Sequence, residues 1–451
     1  MKKTMEKVVC FFMISLLVFG ITGCGSSSSR KVENKSEDSK EDVTIALWHI
    51  WPTGDVSHII TEFIEQYQID NPHVKIKADA TQAEEYQHRK LKVAAANGSQ
   101  ADVFMCYGGG YAKPYVEAGV ILPLDDYLKA DKTEERLLGG VLEYFQYEGK
   151  TYGVPLKKWA GVLYCNTEIF EENNVEYPKT WEELMAAVEI FKNNGITPIT
   201  LGAKDAWHIG MIQNALAVRT AGTAECNKAL AGEASLDTAQ IVQSAQLLVD
   251  LNNAGAFPNG TLGISSDEAN LEFLLGNTAM YYCGSWVAME CENEENEIKG
   301  KVKVMPMPSI ENGKGDINSF MGGAIDGLMV NANTKYKEES VKFALALAEH
   351  LSTECYKIGD SIPAWNTDID ESEVNPVLVE IKKLTQDADG YVLAWDTFLE
   401  GSAIDAHYNL LQGLIGGTVT PKEFAAGMQK ANEEQKQSDA TGALEMQQAA
   451  E

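Results

Sequence analysis

The chain has 451 residues, of which 45% are hydrophobic and 23% are charged, so it is long enough for two or three domains with buried cores. Its formal net charge of −29 argues against a nucleic-acid ligand and disfavours any strongly anionic ligand, because an acidic surface repels phosphates and anionic membranes. The plainer interpretation, that this charge serves solubility alone, stays open.

The amino terminus has the pattern of a secretion signal. Three lysines within the first seven residues precede the apolar run 8–19, which is too short to span a bilayer comfortably. The segment ITGC at 21–24 resembles a bacterial lipobox, in which the cysteine receives a diacylglyceryl group and becomes the mature amino terminus. This resemblance predicts a signal peptide over 1–23 and a lipid anchor on Cys24, where two acyl chains suffice for stable anchoring. The alternative is an ordinary secretion signal with an incidental cysteine.

Residues 24–42 have the composition of a disordered tether. They are rich in Ser, Lys and Glu and contain no aromatic residue, so they cannot pack a core. A tether between an anchor and a folded domain predicts a protein on the extracellular face of a bacterial cytoplasmic membrane. We expect the bacterium to be Gram-positive.

From residue 43 onward, strand and helix patterns alternate. Apolar and alternating runs predict strands over 43–48, 74–80, 101–107, 161–166, 198–202, 278–286, 301–308 and 321–330. Helical spacing predicts helices over 58–69, 84–96, 207–221, 237–254 and 338–352, and a capping box predicts another that begins at 180–183. The initial order of strand, helix, strand, helix and strand is typical of a parallel α/β sheet. From about Glu433 we expect the chain to fray after a helix.

The eight cysteines give no sign of a metal site. They form no CxxC pair and lack the Cys/His spacing of a zinc site. Cys106 and Cys165 lie in apolar, strand-like runs, which predicts buried free thiols. Cys283 and Cys291 could pair, and the sequence leaves this open.

Six segments, spread over nearly the whole mature chain, carry a family resemblance. They are FIEQYQIDNPHVKIK, ADVFMCYGGGYAKPYVEAGVILPLDDYL, GKTYGVPLKKWAGVLYCNTEIFEENNVEYPKTWEELMAAV, GNTAMYYCGSW, KVKVMPMPSIENGKG and LIGGTVTPKEFAAGMQ. In this order they resemble the extracellular solute-binding proteins, family 1, of ABC importers, which are relatives of the maltose- and raffinose-binding proteins. Each segment alone would be weak evidence.

The resemblance implies an α/β fold of two lobes, the periplasmic-binding-protein-like fold of type II, with crossovers that act as hinges. We expect crossings near 152–155 and 305–308, where prolines restrict the links. The lobes are then discontinuous, with an amino-terminal lobe of 43–155 and 308–363 and a carboxyl-terminal lobe of 156–307 and 364–451. A ligand in the cleft would bridge the lobes and favour the closed state, which the membrane permease would recognise.

Most of the tryptophans fall just beyond predicted strand ends, where ligands bind in open α/β sheets. An indole stacks on the flat C–H faces of a pyranose, while acidic, amide and imidazole side chains orient its hydroxyls. Tyr107 also ends a predicted strand, before a glycine trio that lacks phosphate-loop spacing and predicts a tight turn. The predicted ligand-binding residues are therefore Trp48, His49, Trp51, Tyr107, Trp159, Asp205, Trp207, His208, Trp286, Asp326, Trp365, Asn366, Trp395 and Asp396. Core packing is the alternative for any single tryptophan, and it is the expected role of Trp181.

The resemblance assigns roles to part of this set. Trp286 matches the stacking tryptophan of the family's G-x-W segment, and Asp205 and Trp207 match the G-x-K-D-x-W segment of oligosaccharide-binding relatives. Asp326 resembles an aspartate that bonds sugar hydroxyls, although two residues separate it from the preceding glycine pair, where many relatives have fewer. Lys157 and Lys158 depart from the small or polar residues common after the hinge proline. A lysine in the cleft would suit an acidic sugar, but we favour the interpretation that both are solvated.

The sequence therefore predicts a non-catalytic, monomeric receptor that contains no metal or cofactor. The receptor captures a carbohydrate, specifically an oligosaccharide, and delivers it to an ABC permease. Two alternatives stay open. A cell-surface glycosidase would need two carboxylates that flank a glycosidic bond, and no motif singles out such a pair. The other alternative is a binding protein for a peptide, a polyamine or glycerol phosphate, although the net charge argues against the phosphate.

Overall fold

The structure of the protein is a computed structural model, and it describes residues 42–399 and 401–450. The predicted signal peptide, the lipidation site Cys24 and all of the predicted tether except Asp42 lie outside the described residues. Within the described part, each helix is too short or too polar to cross a membrane.

Strands from both halves of the chain form one mixed sheet. The strands of the described residues are β1 Val43–His49, β2 Val74–Ala80, β3 Val103–Tyr107, β4 Gln146–Tyr147, β5 Lys150–Thr151, β6 Val154–Asn166, β7 Thr197–Thr200, β8 Thr278–Gly284, β9 Val302–Met305, β10 Ser319–Val330, β11 Ile362–Pro363 and β12 Gly390–Val392. The main path of the sheet runs β2-β1-β3-β10-β6-β8-β7. β9 and β11 also pair with β6, β12 pairs with β10, and β4 and β5 form a separate hairpin.

Helices pack on this sheet, as α/β folds require. The helices of the described residues are α1 Asp55–Asp70, α2 Ala83–Glu85, α3 Leu91–Asn97, α4 Lys113–Glu117, α5 Asp125–Ala130, α6 Thr167–Glu172, α7 Trp181–Asn193, α8 Ala206–Ala221, α9 Thr223–Leu230, α10 Ala239–Ala254, α11 Ser266–Leu274, α12 Val287–Cys291, α13 Lys337–Lys357, α14 Pro376–Thr385, α15 Trp395–Phe398, α16 Gly401–Gly416 and α17 Pro421–Ala450. A π-helical turn at Tyr86–Lys90 joins α2 to α3. Short 3-10 turns lie at Thr133–Glu135, Glu143–Phe145, Thr261–Gly263 and Glu371–Glu373.

Each strand and helix predicted from the sequence overlaps one of these elements. The capping box of Thr180 and Glu183 is present at the start of α7. The expected fraying from Glu433 is wrong, because α17 continues to Ala450 through a stretch rich in the good helix formers Ala, Glu and Gln.

The sheet is parallel only in part. β1 pairs in parallel with β2 and β3, as the order of strands and helices predicts, and β7 pairs in parallel with β8. β10, however, runs antiparallel to β3 and β6 and parallel to the short strand β12. This long return strand makes the sheet mixed.

β6 and β10 join the two lobes. β6 pairs with β10 through 154–160 and with β8 through 161–165, whereas β10 pairs with β3 through 326–330. Buried side chains form one large core around β1, β3, α1 and α13, and another around β7, β8, α8 and α10. These two cores and the strands between them confirm the two-lobed α/β fold.

The six cysteines among the described residues are all buried and free. The prediction for Cys106 and Cys165 is therefore confirmed. Cys283 and Cys291 are also free thiols, and burial raises the pKa of Cys283 to about 12.

Arg219 ties the segment before β10 to α8. Its buried guanidinium donates from Nε to Met307 O at 2.8 Å and from Nη1 to Asp316 O and Ser319 O at 2.8 and 2.7 Å. Nη2 donates to Ile317 O at 3.0 Å. Burial lowers the pKa of Arg219 to about 10, and the four carbonyl oxygens compensate the guanidinium for lost water.

The lobe boundaries stay predictions. The first crossing, expected near 152–155, meets the start of β6 at Val154. Because 307–319 is tied to α8, we infer that the second crossing lies within β10 rather than near 305–308.

Replacing Arg219 by methionine should destabilise the protein by about 3 kcal/mol, since it leaves four carbonyl oxygens, two of them in buried and two in partly buried hydrogen bonds, without their charged donor. Urea unfolding midpoints measure this. Arg89→Met is the matched control, because Arg89 is exposed and pairs with the exposed Glu85, four residues earlier, so its loss should cost less than about 1 kcal/mol. Equal midpoints for the two variants would show that the Arg219 contacts do not stabilise the fold.

Candidate functional site

A cavity of about 450 Å³ lies between residues of the two lobes. This volume is typical of small-molecule binding sites. Its aromatic lining consists of Trp51, Tyr107, Tyr111, Trp159, Trp207, Trp286 and Tyr408. Its polar lining consists of Lys157, Asp326, Asp360, Ser361, Asp396 and Thr397. A second cavity, of about 380 Å³, holds no tryptophan and a single carboxylate, that of Glu143. The first cavity is therefore the candidate site.

Two tryptophans form one wall of the cavity. Trp159 lies on β6 and Trp286 follows β8, and their ring centroids are 5.3 Å apart with planes inclined by 59°. A Cβ on Gly284, the last residue of β8, would lie 2.0 Å from the Trp286 ring. The glycine therefore makes room for the indole to fold back over the end of its own strand.

Two tyrosines at the end of β3 and just after it also line the cavity. Tyr107 and Tyr111 meet edge to face, with centroids 5.4 Å apart. Between them the backbone turns tightly: Gly108 N donates to Ile325 O at 2.8 Å, and a Cβ on Gly108 would lie 2.4 Å from Tyr144 O. This confirms the expected tight turn.

An ionic cluster of Lys157, Asp326 and Asp360 lies in the cavity wall. Lys157 Nζ donates to Asp360 Oδ2 at 2.7 Å and lies 3.7 Å from Asp326 Oδ2. The three side chains are only 14%, 14% and 11% exposed. The ammonium also lies 5.4 Å from the centroid of the Trp51 ring. Our interpretation that Lys157 is solvated is therefore wrong.

The cluster holds a charged lysine. Burial by itself would lower the pKa of Lys157, but the carboxylates of Asp360 and Asp326 outweigh it, so this pKa is raised above its usual value. Burial raises the pKa of Asp326, and the nearby ammonium opposes this shift. The two aspartates therefore share one cation.

A third carboxylate, that of Asp396, lies on α15. Tyr408 Oη, from α16, donates to Asp396 Oδ2 at 2.8 Å. This bond fixes an acidic group and an aromatic ring next to each other on the cavity wall.

The family model of the bacterial extracellular solute-binding proteins matches residues 53–354. The chain belongs to this family. Its two lobes, its hinge strands and the cavity between them are those of a solute-binding protein.

Known proteins agree with this assignment. A solved structure from work on xylan utilization by the thermophilic bacterium Caldanaerobius polysaccharolyticus shares 39% identity, with a TM-score of 0.82, over 86% of this chain and 99% of that one. A chitin oligosaccharide binding protein shares 27% identity, with a TM-score of 0.80, over 87% and 98% of the two chains. An uncharacterized ABC transporter extracellular-binding protein of Pyrococcus horikoshii is 23% identical over 79% of this chain and 81% of its own.

Half of the predicted site residues meet in the cavity of this solute-binding protein. They are Trp51, Tyr107, Trp159, Trp207, Trp286, Asp326 and Asp396. The structure does not bring Trp48, His49, Asp205, His208, Trp365, Asn366 or Trp395 to its lining.

Trp365 and Trp395 pack in the cores instead. Both side chains are fully buried. Trp365 Nε1 donates to Pro155 O at 2.7 Å in the amino-terminal core, whereas Trp395 stacks on His407, with centroids 5.6 Å apart. For these two, the alternative of core packing was the correct one.

Three further predicted residues, His49, Trp48 and Asn366, do not line the cavity. The His49 ring is buried and stacks against Trp51, with centroids 6.2 Å apart, so it supports a cavity residue from behind. Trp48 lies in a separate groove under Lys90 Nζ, 4.4 Å from its ring centroid. Asn366 is exposed, and its side chain donates to Glu135 O at 3.3 Å.

Asp205 and His208 hold the start of α8, which carries Trp207. Asp205 Oδ2 accepts from Ser266 N at 2.7 Å and from Ser266 Oγ at 2.9 Å. His208 Nδ1 accepts from Gly202 N at 3.0 Å. Asp205 thus accepts from a backbone and a side-chain donor and His208 Nδ1 from a backbone donor, while Trp207 between them reaches the cavity.

The sequence analysis missed Tyr111, Asp360, Ser361 and Tyr408. Asp360 and Ser361 follow α13, and Tyr408 lies within α16, so none of the three ends a predicted strand. Tyr111 directly follows the glycine turn, and that turn was the one signal that could have pointed to it.

Acid should weaken the fold through His208. Its Nδ1 accepts a hydrogen bond as only a neutral ring can, and burial lowers its pKa to about 4. The unfolded chain takes up this proton near the ordinary value of 6.5. Stability that is full above pH 6.5 should therefore fall as the pH decreases toward 4, by up to about 1.4 kcal/mol per pH unit.

Urea unfolding between pH 7 and pH 4.5 measures this dependence. His208→Gln keeps an acceptor for Gly202 N but removes the titrating group, so its stability should fall less steeply with acid than that of the wild type. His58→Gln, at an exposed position on α1, controls for the loss of a histidine. Parallel curves for the wild type and His208→Gln would contradict this role of His208.

Proposed function

We propose that the protein is the substrate-binding lipoprotein of an ABC importer. It captures a carbohydrate, specifically an oligosaccharide, and delivers it to the membrane permease. The observation that carries this proposal is the cavity between the lobes, where four tryptophans and three tyrosines surround a few carboxylates. Its likeness to the chitin oligosaccharide binding protein and to the ABC transporter extracellular-binding protein supports it.

The lining suits the two chemistries of a sugar. Indole and phenol rings such as those of Trp159 and Trp286 offer flat apolar surface to the C–H faces of a pyranose. Hydroxyl groups need acceptors at its rim, and the carboxylates of Asp326, Asp360 and Asp396 are acceptors in this wall. A sugar that touches both lobes would favour the closed state by its differential affinity.

We propose that the protein acts as a monomer and without a metal or cofactor, and that it is not an enzyme. The chitin oligosaccharide binding protein and the Pyrococcus horikoshii relative are both named as binding proteins. Among the described residues, no group of His, Cys, Asp and Glu could hold a metal ion. A glycosidase would release shorter products from labelled oligosaccharides, so such products from purified protein would contradict the proposal.

A thermal-shift screen tests the ligand class. Neutral oligosaccharides should raise the melting temperature by mass action, whereas peptides, polyamines and glycerol phosphate should not. Trp286→Ala should then weaken the stabilising sugar by roughly 2–4 kcal/mol of lost stacking, as measured by isothermal titration.

Trp181→Ala is the control for this variant, because Trp181 lies on α7 outside the cavity lining. Its dissociation constant should match that of the wild type. An unchanged constant for Trp286→Ala would remove Trp286 from the site, and stabilisation by an amine alone would exclude a carbohydrate as the ligand class.

We also propose that a lipid on Cys24 holds the protein at the extracellular face of a Gram-positive membrane, with 25–42 as the tether. The pattern of residues 1–24 supports this. Cys24→Ser should abolish incorporation of labelled palmitate in a Gram-positive host and release the protein into the medium. Cys10→Ser, within the signal peptide, is the control and should leave the label in place. Label that persists in Cys24→Ser would contradict the anchor.

A further inference from the structure

The charges around the cavity are unequal in number. Asp326, Asp360 and Asp396 bring three carboxyl groups to its lining. Lys157 is the one Lys, Arg or His among the described residues that line it. Seven aromatic residues also line the cavity, and the electron-rich faces of aromatic rings favour positive charge.

The single cation is not available to an anionic ligand. Lys157 Nζ bonds Asp360 at 2.7 Å, lies 3.7 Å from Asp326 and sits over the ring of Trp51. The neighbouring Lys158 does not line the cavity, and its Nζ lies 5.1 Å from the Tyr391 ring. The lysine pair that could have suited an acidic sugar therefore offers no free ammonium in this wall.

We propose that the cavity selects saccharides by charge, admitting uncharged and amine-bearing sugars and rejecting uronates, and that Asp360 sets this selectivity by holding Lys157. The inference rests on the proposed carbohydrate function. A uronate would bring a further carboxylate into a cavity that is already lined by three acidic side chains, and these like charges would repel it. An ammonium group would meet carboxylates and ring faces instead.

Asp360 acts through the lysine. Lys157 Nζ lies 2.7 Å from Asp360 Oδ2 and 3.7 Å from Asp326 Oδ2. If Asp360 is removed, the more distant Asp326 is the remaining carboxylate partner of Lys157 in the cluster. The ammonium could then turn toward a bound sugar and accept a negative charge. Asp360 is thus a specificity-determining residue. Its replacement should change the ratio of the affinities for a uronate and for the neutral sugar.

Trisaccharides of the same linkage that carry no charge, amino groups or carboxylates test the rule on the wild-type protein. Cellotriose, the β-1,4 glucosamine trimer and the β-1,4 glucuronate trimer form one series, and maltotriose with its amine and uronate analogues forms a second. If the screen identifies another neutral sugar, its amine and uronate analogues replace them. Isothermal titration should show that the uronate binds at least about tenfold more weakly than its neutral counterpart, and that the amine binds no more weakly.

Asp360→Asn tests the mechanism. The ratio of the uronate to the neutral dissociation constant should fall about tenfold, because the variant frees Lys157 and removes one negative charge. Asp126→Asn, an exposed change of the same charge on α5, should leave the ratio as it is in the wild type. If Asp360→Asn does not fold by its melting curve, Asp360→Ser takes its place, since it also frees Lys157 and removes the same negative charge.

The outcomes separate the inference from the function on which it rests. A uronate that binds as tightly as its neutral counterpart, or an amine that binds much more weakly, overturns the charge rule and leaves carbohydrate binding intact. An unchanged ratio in folded Asp360→Asn overturns the role of Asp360. A screen in which no saccharide of any charge binds contradicts the proposed function itself.

Discussion

The close pairing of β6 with β10 is the constraint on which the rest of the structure depends. A Cβ on Gly322 would lie 2.1 Å from Trp159 O, and the φ angles of +129° and +133° at Gly322 and Gly323 favour glycine. The register then shifts around Asp326. The same two strands join the lobes and carry Trp159, Lys157 and Asp326 to the cavity, so the hinge and the ligand wall share one backbone.

Much of the fold follows from local pattern. The runs that become β1, β2 and β3 and the capping box at Thr180 are readable because each depends on near neighbours. The direction of β10 is not readable, since an apolar run is equally compatible with a parallel or an antiparallel partner. The inferred place of the second crossing depends on Arg219, whose carbonyl partners lie 88 to 100 residues further along the chain.

The candidate site divides in the same way. Trp286 could be predicted because it ends the strand predicted over 278–286, and Gly284 makes room for its ring. Trp365 and Trp395 carry similar local signals, but contacts with Pro155 and Asn214 draw them into the cores. The burial of Lys157 depends on Asp360, which lies 203 residues away in sequence, and no local pattern contains that information.

The gathering of tryptophans has an optical consequence. Four of the eight indoles of the chain line one cavity, and two of them lie within 5.3 Å of each other. Indole emission responds to surrounding water and to neighbouring rings, so a solute that displaces water there changes the colour and intensity of the light that the protein emits. Intrinsic tryptophan fluorescence should therefore change when a solute binds in the cavity. Binding and release of the solute can then be followed in real time without an added dye.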